Sequence, residues 1–329
     1  MDKTQQSLLR ANRIKPWEPV LWLLAFAAPA LMPSQALIVN EIAYIALFAV
    51  SLDLVLGYGG IVSLGHTAFF GVGAYTAALF CKHLMPDPHL GLLAAMAVTA
   101  VLGFVVSFTV LRGTDLTRLM VTLGVALLLY EAANKLDWIT GGMDGIQGLM
   151  FSPVLGKFEF DLSGRTAAYY SLVVLFVLFM AARRIVHSPF GATLEAIRDN
   201  RLRAMAIGIP VHARLVSVYT IAAAMAGAAG ALFTQTSGFA SIEVLEFHRS
   251  ADVMLMLVIG GVGWLYGGIV GAVVFKLLQD FISQITPQYW TFWIGLFLVV
   301  LVLVGRERLF KPWTWTNKLG PRLRGDDAA

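Results

Sequence analysis

Residues 51–73 read Ser51-Leu-Asp53-Leu-Val-Leu-Gly57-Tyr-Gly-Gly60-Ile-Val-Ser63-Leu-Gly65-His66-Thr67-Ala-Phe-Phe-Gly71-Val-Gly73. The stretch is as apolar as a membrane span, yet glycines interrupt it and it carries an aspartate and a histidine. A later stretch echoes it: Ser250-Ala-Asp252-Val-Met-Leu-Met-Leu-Val-Ile-Gly260-Gly261-Val-Gly263-Trp-Leu-Tyr-Gly267-Gly268-Ile-Val-Gly271. Both begin Ser-x-Asp, and both reach a Gly-Gly pair followed by further glycines. Glycine-broken apolar segments in corresponding halves of a chain point to a transport route, because a broken helix turns free N–H and C=O groups inward. The competing reading is close helix packing. Gly263, Gly267 and Gly271 form one small-residue stripe, and Ala223, Gly227 and Ala231 form another. Packing is favoured for the later segment. A route is favoured for the earlier one, which also carries Ser63, His66 and Thr67.

The rest of the chain supports a membrane setting. Of 329 residues, 58% are apolar and 13% charged, against roughly 25% charged in soluble domains. Mean hydropathy is +0.75. One soluble core cannot hide that much apolar surface, so a secreted or cytosolic globular protein is excluded, as is disorder. The single cysteine, Cys81, allows neither a disulfide framework nor a cysteine-based zinc site.

A spanning helix needs about 20 mainly apolar residues. Such runs lie near 18–36, 38–57, 62–81, 90–111, 117–135, 167–184, 213–234, 266–284 and 289–305, with a shorter one at 251–263. Basic residues gather in a few connections: Lys3, Arg10, Arg13 and Lys15; Arg112 and Arg118; Arg183, Arg184, Arg198, Arg201, Arg203 and Arg214; and Arg306, Arg308, Lys311, Lys318, Arg322 and Arg324. The positive-inside rule puts these in the cytoplasm, both termini included. Even parity then makes 251–263 a tenth element, half-length or broken at Gly260–Gly263. The expected fold is all-α and polytopic, with about ten transmembrane elements. A basic arm (1–17) and tail (306–329) flank a transmembrane domain (18–305). Residues 18–31 have some look of a signal peptide, but Pro29 disfavours cleavage, and Trp17 and Trp22 suit interface anchors.

Glu41, Asp53, His66, Glu131, Asp252, Lys276 and Asp280 fall within or beside apolar spans, where a charge at mid-bilayer costs about 2.5–3.5 kcal/mol. Asp53 is the deepest and the stronger functional candidate. His66 reads as a hydrogen-bonded structural residue rather than a proton relay, since no second His shares its helix. Lys276 and Asp280, four apart, can neutralise each other.

Gly60-Ile-Val-Ser-Leu-Gly65-His66-Thr67 has P-loop glycine spacing, but a histidine replaces the lysine and no strand precedes it. No nucleotide site, metal motif or nucleophile elbow is legible. The expectation is a chain with no catalytic residues and no cofactor.

Residues 188–208 combine a Ser188-Pro189 start, apolar residues at helical spacing (Ala192, Leu194, Ile197, then Leu202, Met205, Ala206) and a Gly208 stop. They are expected to form a short amphipathic helix. It is either a solvated loop element or a docking helix for a cytoplasmic partner.

These motifs carry a resemblance. Gly57-Tyr-Gly-Gly-Ile-Val-Ser-Leu-Gly-His-Thr-Ala-Phe-Phe-Gly-Val-Gly-Ala-Tyr75, Trp138-Ile-Thr-Gly-Gly-Met-Asp-Gly-Ile146, Ala196-Ile-Arg-Asp-Asn200 with Ala206-Ile-Gly-Ile209, and Leu257-Val-Ile-Gly-Gly-Val-Gly-Trp-Leu-Tyr-Gly267 resemble, in order, motifs of the branched-chain amino-acid ABC permease family, LivM-type. The likeness spans about residues 40–305. It implies an inner-membrane importer subunit that pairs with a second, LivH-type permease. Two cytoplasmic ATPases and a periplasmic substrate-binding protein complete such a complex. It also implies that 188–208 is the coupling helix, with Glu195, Arg198, Asp199, Asn200 and Gly208 as ATPase-coupling candidates. Arg203-Ala-Met-Ala-Ile-Gly208 lacks the usual acidic residue of that pattern. Route candidates are Asp53, Gly60, Ser63, Gly65, His66, Thr67, Tyr75, Gly260 and Gly261. The alternatives are a urea or short-chain amide permease of the same family, and an ion-coupled secondary transporter using Asp53 and His66.

Overall fold

The apolar runs fold as helices, and glycine, proline and short polar residues set where they begin and end. The computed structural model describes residues 17–113, 115–161, 163–285, 287–289, 292–297 and 299. The arm before Trp17, the tail 306–329 and most of the run 289–305 lie outside the described residues.

In chain order the helices are α1 (Trp17–Leu31), α2 (Ala36–Asp53), α3 (Thr67–His83), α4 (Pro88–Val110), α5 (Asp115–Lys135), α6 (Asp137–Thr140), α7 (Arg165–Val186), α8 (Pro189–Asp199), α9 (Arg201–Ala206), α10 (Val211–Ser237), α11 (Phe247–Gly260) and α12 (Leu265–Ile285). A π-helical turn, Leu54–Tyr58, extends α2. No strand occurs among the described residues beyond the isolated bridges Ile146–Ala240 and Val154–Phe158. The local signals act as their chemistry dictates. Asp87 accepts from the His89 and Leu90 N–H groups, and Pro88 opens α4 at a position that needs no N–H. Gly238, in the left-handed region, closes α10.

Six described helices are long and apolar enough to cross a membrane: Pro33–Tyr58, Pro88–Val110, Leu116–Lys135, Arg165–Val186, Val211–Ser237 and Leu265–Ile285. The sequence leads one to expect a single short element, at 251–263. Three are found: α1, α3 and α11 have 15, 17 and 14 residues. The run at 62–81 shortens because Gly59, Gly60 and Gly65 hold residues 59–66 out of a helix, so α3 starts only at Thr67. Pro33 likewise ends the first run early, through a 3-10 turn, Pro33–Gln35.

The chain clusters into two units, Met1–Val273 and Val274–Ala329. In the first, α10 is the central helix, and small residues let its neighbours approach. A methyl group on Gly73 would overlap the Gly227 backbone, one on Gly227 would overlap Thr99, and one on Gly230 would overlap the Phe70 carbonyl. Contact this close gains dispersion energy without any apolar–water driving force, as helix association in lipid requires. Asn40 adds a buried polar tie: Nδ2 donates to Thr236 Oγ1 at 3.0 Å, and Oδ1 accepts from Ser171 Oγ at 2.6 Å. Glu18 and Arg183, both buried, pair at 2.7 Å and join α1 to α7. In the second unit, Lys276 Nζ donates to Gln279 Oε1 at 3.3 Å, and Asp280 Oδ2 accepts from Gln284 at 3.0 Å.

Candidate functional site

The two glycine-broken segments meet. The π turn leaves the Gly57 carbonyl without a helical partner. Gly263, at φ +76°, precedes α12. Asp53 Oδ1, at the end of α2, accepts the Gly263 N–H at 2.8 Å. The Tyr58 hydroxyl lies near the Leu265 N–H. The Gly263 N–H, just ahead of α12, is therefore held by a side chain from α2, where the start of a helix leaves N–H groups to be satisfied. Only glycine fits at 57, because a methyl group there would overlap Asp53 Oδ1 and meet the Gly263 nitrogen.

The connection between α7 and α10 closes this junction. Arg198 Nη1, near the end of α8, donates to the Gly57 carbonyl at 2.6 Å. Gly60, at φ +66°, packs on the Arg198 side chain. The charges of Arg198 and Asp53 act on each other across the junction. Leu194 and Ile197 bury α8 against the bundle, and Arg214 lies 5.1 Å over the Phe190 ring. The break at 57–60, the break at 260–263 and the connection are thus one hydrogen-bonded unit.

The route candidates fall into two groups. Asp53 and Gly60 are in the junction. Ser63, Gly65, His66 and Thr67 are interior, on the climb to α3. His66 is fully buried, stacked on Phe48 with centroids 5.6 Å apart. Ser51 Oγ donates to the Phe48 carbonyl at 2.6 Å and lies 2.9 Å from His66 Nε2. His66 Nε2 is therefore the donor, and Nδ1 is a bare acceptor with no hydrogen-bond partner among the described residues. His66 thus holds one side-chain hydrogen bond, to Ser51. Thr67 N–H donates to Ser250 Oγ at 2.9 Å, and its hydroxyl donates to the Val244 carbonyl at 3.0 Å. Ser63 faces the Tyr219 hydroxyl. Gly65 sits on the Thr122 backbone. The Tyr75 hydroxyl is buried with no hydrogen-bond partner among the described residues. Gly260 and Gly261 pack against Gly267.

The coupling candidates divide too. Arg198 reaches Gly57 with Nη1, while its side chain stays 38% exposed and Nη2 pairs with Asp199 at 3.3 Å. Glu195, Asp199 and Asn200 are exposed. The single helix expected over 188–208 is two. Asn200, extended at φ −158°, separates α8 from α9 and caps α9 by accepting the Arg203 N–H at 2.9 Å. Gly208 ends the turn at φ +85°. Leu194 and Ile197 are buried, whereas Leu202, Met205 and Ile207 are exposed, so α9 and its end present an apolar surface flanked by Arg201 and Arg203. Sequence reasoning missed Gly57 and Gly263 as junction residues, although both lie in the echoed segments.

The junction joins three segments through hydrogen bonds. Its hydrogen bonds lose most of their strength within about 1 Å of displacement, so a shift of α8 is felt by both breaks. A family profile described as branched-chain amino acid transport system / permease component matches residues 35–304. The chain is 28% identical over 321 residues to the high-affinity branched-chain amino acid transport system permease protein LivM of Escherichia coli K12, covering 89% of this chain and 74% of that protein. It is 26% identical to the fructose import permease protein FruG of Bifidobacterium longum, covering 80% of each. It is 27% identical to the autoinducer 2 import system permease protein LsrC of Escherichia coli O157:H7, covering 87% and 85%. No solved structure matches.

Proposed function

The chain belongs to the family of branched-chain amino acid transport system permease components, and from that premise we propose that it is the membrane-spanning subunit of an ATP-driven importer of branched-chain amino acids. It is a transport subunit and not an enzyme; nucleotide hydrolysis belongs to two separate cytoplasmic ATPases. A second, LivH-type permease completes the membrane portion, and a periplasmic binding protein delivers substrate. The chain crosses the inner membrane ten times with both termini in the cytoplasm. Three of the crossings, α1, α3 and α11, are too short to span as helices alone.

The observation that carries the mechanism is the Arg198–Gly57 hydrogen bond together with the Asp53–Gly263 bond. On this reading α9, with exposed Leu202, Met205 and Ile207, seats in the ATPase. The movement passes through Asn200 into α8, and Arg198 delivers it to both breaks. Nucleotide is the ligand whose differential contacts shift the permease between its inward- and outward-open states. Substrate passes above the junction, where Ser63, His66, Thr67 and Tyr75 lie near the starts and faces of α3.

The test is to purify the chain with its two ATPases, second permease and binding protein, and reconstitute them in liposomes. Leucine uptake that requires ATP and loaded binding protein is the expected result. Concentrative uptake by the lone chain without ATP would overturn the reading.

A further inference from the structure

The end of α7 opposite α8 carries a different surface. α7 runs 22 residues from Arg165 to Val186, about 33 Å. That length separates the stretch 136–164 from the connection holding α8 and α9 by the depth of a hydrocarbon core. The stretch is fixed to its neighbours through its backbone. The Ile146 N–H donates to the Ala240 carbonyl at 2.8 Å, and the Ala240 N–H donates back to the Ile146 carbonyl at 2.9 Å. The Leu149 N–H donates to the Gly238 carbonyl at 3.1 Å, and the Ser152 N–H to the Pro86 carbonyl at 2.7 Å. The Cys81 thiol donates to the Met150 carbonyl at 3.4 Å. The stretch thus lies against the last turn of α3 and the residues just after α10.

Large apolar side chains stay uncovered on this fixed backbone. Trp138, Met143 and Met150 are 79%, 77% and 86% exposed. Gly141 packs on the Gly145 backbone and Gly142 on Asp137, so Trp138 and Met143 sit on one tight loop. Met150 lies beside the link after α3, where Leu84 and Met85 are exposed as well. Exposed apolar surface outside the spans marks a contact with another molecule. Methionine suits such a surface, because its unbranched, polarizable side chain adapts to the shape it meets.

The surrounding charge selects the occupant. The stretches 84–87, 136–164 and 238–246 hold one, four and two carboxylates, against a single basic residue, Lys157. Asp144, Glu159 and Glu243 are exposed among them. A segment that rests on a bilayer turns Lys and Arg toward anionic headgroups, and an acidic rim does the opposite. A soluble protein that meets it with an apolar patch ringed by Lys and Arg is complementary in both respects.

We propose that Trp138, Met143, Met150 and the Leu84–Met85 link, with the carboxylates around them, form the surface on which the periplasmic binding protein docks. The binding protein brings an apolar patch and a basic rim. The assignment rests on the importer reading above and deepens it, naming where on this chain that partner sits and which sign of charge it presents.

The complex of this chain with its second permease and two ATPases is placed in nanodiscs, and binding of the purified binding protein is measured at rising salt. Kd is expected to rise about tenfold or more in W138A, and several-fold in M150S. The D144N and E159Q double variant is expected to bind several-fold more weakly at low salt and to lose part of the salt dependence of the wild type. Thermal unfolding of each variant complex at the wild-type temperature separates docking from an effect on the fold. A photo-crosslinking benzoylphenylalanine at position 138 or 150 is expected to capture the binding protein, and it decides the matter where a variant loses stability and affinity together. Crosslinks to lipid or to the second permease overturn the surface. So does wild-type affinity in W138A and M150S, or an unaltered salt dependence in the double variant. A wild-type complex that no binding protein binds or stimulates defeats the importer reading itself, before any variant is compared.

Discussion

Arg198 and Gly57, 141 residues apart, share a 2.6 Å hydrogen bond that ties the connection between α7 and α10 to the π turn after α2. Bonds from a charged donor contribute about 1.5–3 kcal/mol. Arg198→Ala is therefore expected to cut transport and binding-protein-stimulated ATP hydrolysis by about tenfold or more, with Arg198→Lys intermediate. The check is stimulated hydrolysis by the purified complex, with assembly verified by size exclusion. Normal stimulation in an intact R198A complex would remove Arg198 from the link.

Asp53 is fully buried, and one of its oxygens holds the Gly263 N–H. Asp53→Ala leaves that donor unpaired and is expected to cost about 1–3 kcal/mol. Asp53→Asn keeps an acceptor and removes a buried charge whose Oδ2 has no hydrogen-bond partner among the described residues, so it should be much milder. Thermal unfolding of the purified complex measures both. Equal destabilisation by the two variants would mean that the carboxylate charge matters more than the hydrogen bond.

Glycines at the junction are expected to behave differently from glycines on a helix surface. Gly57→Ala puts a methyl group into Asp53 and the Gly263 backbone, and Gly65→Ala puts one into the Thr122 carbonyl. Both should abolish transport or assembly. Gly124, on α5, has no atoms within 4 Å of its Cβ position. Gly124→Ala should be neutral or stabilise by about 0.5–1 kcal/mol. Expression level and uptake across the three variants decide the matter.

The helices and their small-residue stripes were legible in the sequence because spans and close contacts leave local patterns: apolar length, and glycine or alanine every fourth residue. The two broken segments were visible as an echo, but not their meeting. Neither Asp53 nor Gly263 carries a mark of the other across 210 residues. Ser63, His66 and Thr67 were readable as polar groups on a broken segment, yet sequence cannot tell a polar group awaiting a ligand from one satisfied within the chain. His66 proves to be bonded to Ser51 on the preceding helix. The direction of Arg198 was hidden for a related reason. Helical spacing gives the face of a helix, and a long side chain can reach around it.

The buried Glu18–Arg183 pair offers a test of how α1 is held to α7. Removing one partner strands a buried charge, so Glu18→Ala is expected to destabilise by about 3–5 kcal/mol. Replacing both with apolar residues of similar size, Glu18→Leu with Arg183→Met, should recover most of that loss. A double-mutant cycle on thermal stability reads the coupling directly. Additive losses would show that the two side chains act independently despite their 2.7 Å separation.

The proposed orientation requires α9 to face the cytoplasm and to be covered there. Leu202 is 76% exposed in the isolated chain, so a cysteine at that position is open to a soluble maleimide from whichever side it faces. In a Cys81→Ser background, Leu202→Cys is expected to react with a membrane-impermeant maleimide only after the cells are opened. Its labelling in inverted vesicles should fall severalfold when the two ATPases are present. Labelling in intact cells would reverse the orientation. Labelling from the cytoplasmic side that the ATPases leave unchanged would keep the orientation but detach α9 from the motor, and the path from nucleotide to Arg198 would then have to enter through α8 itself.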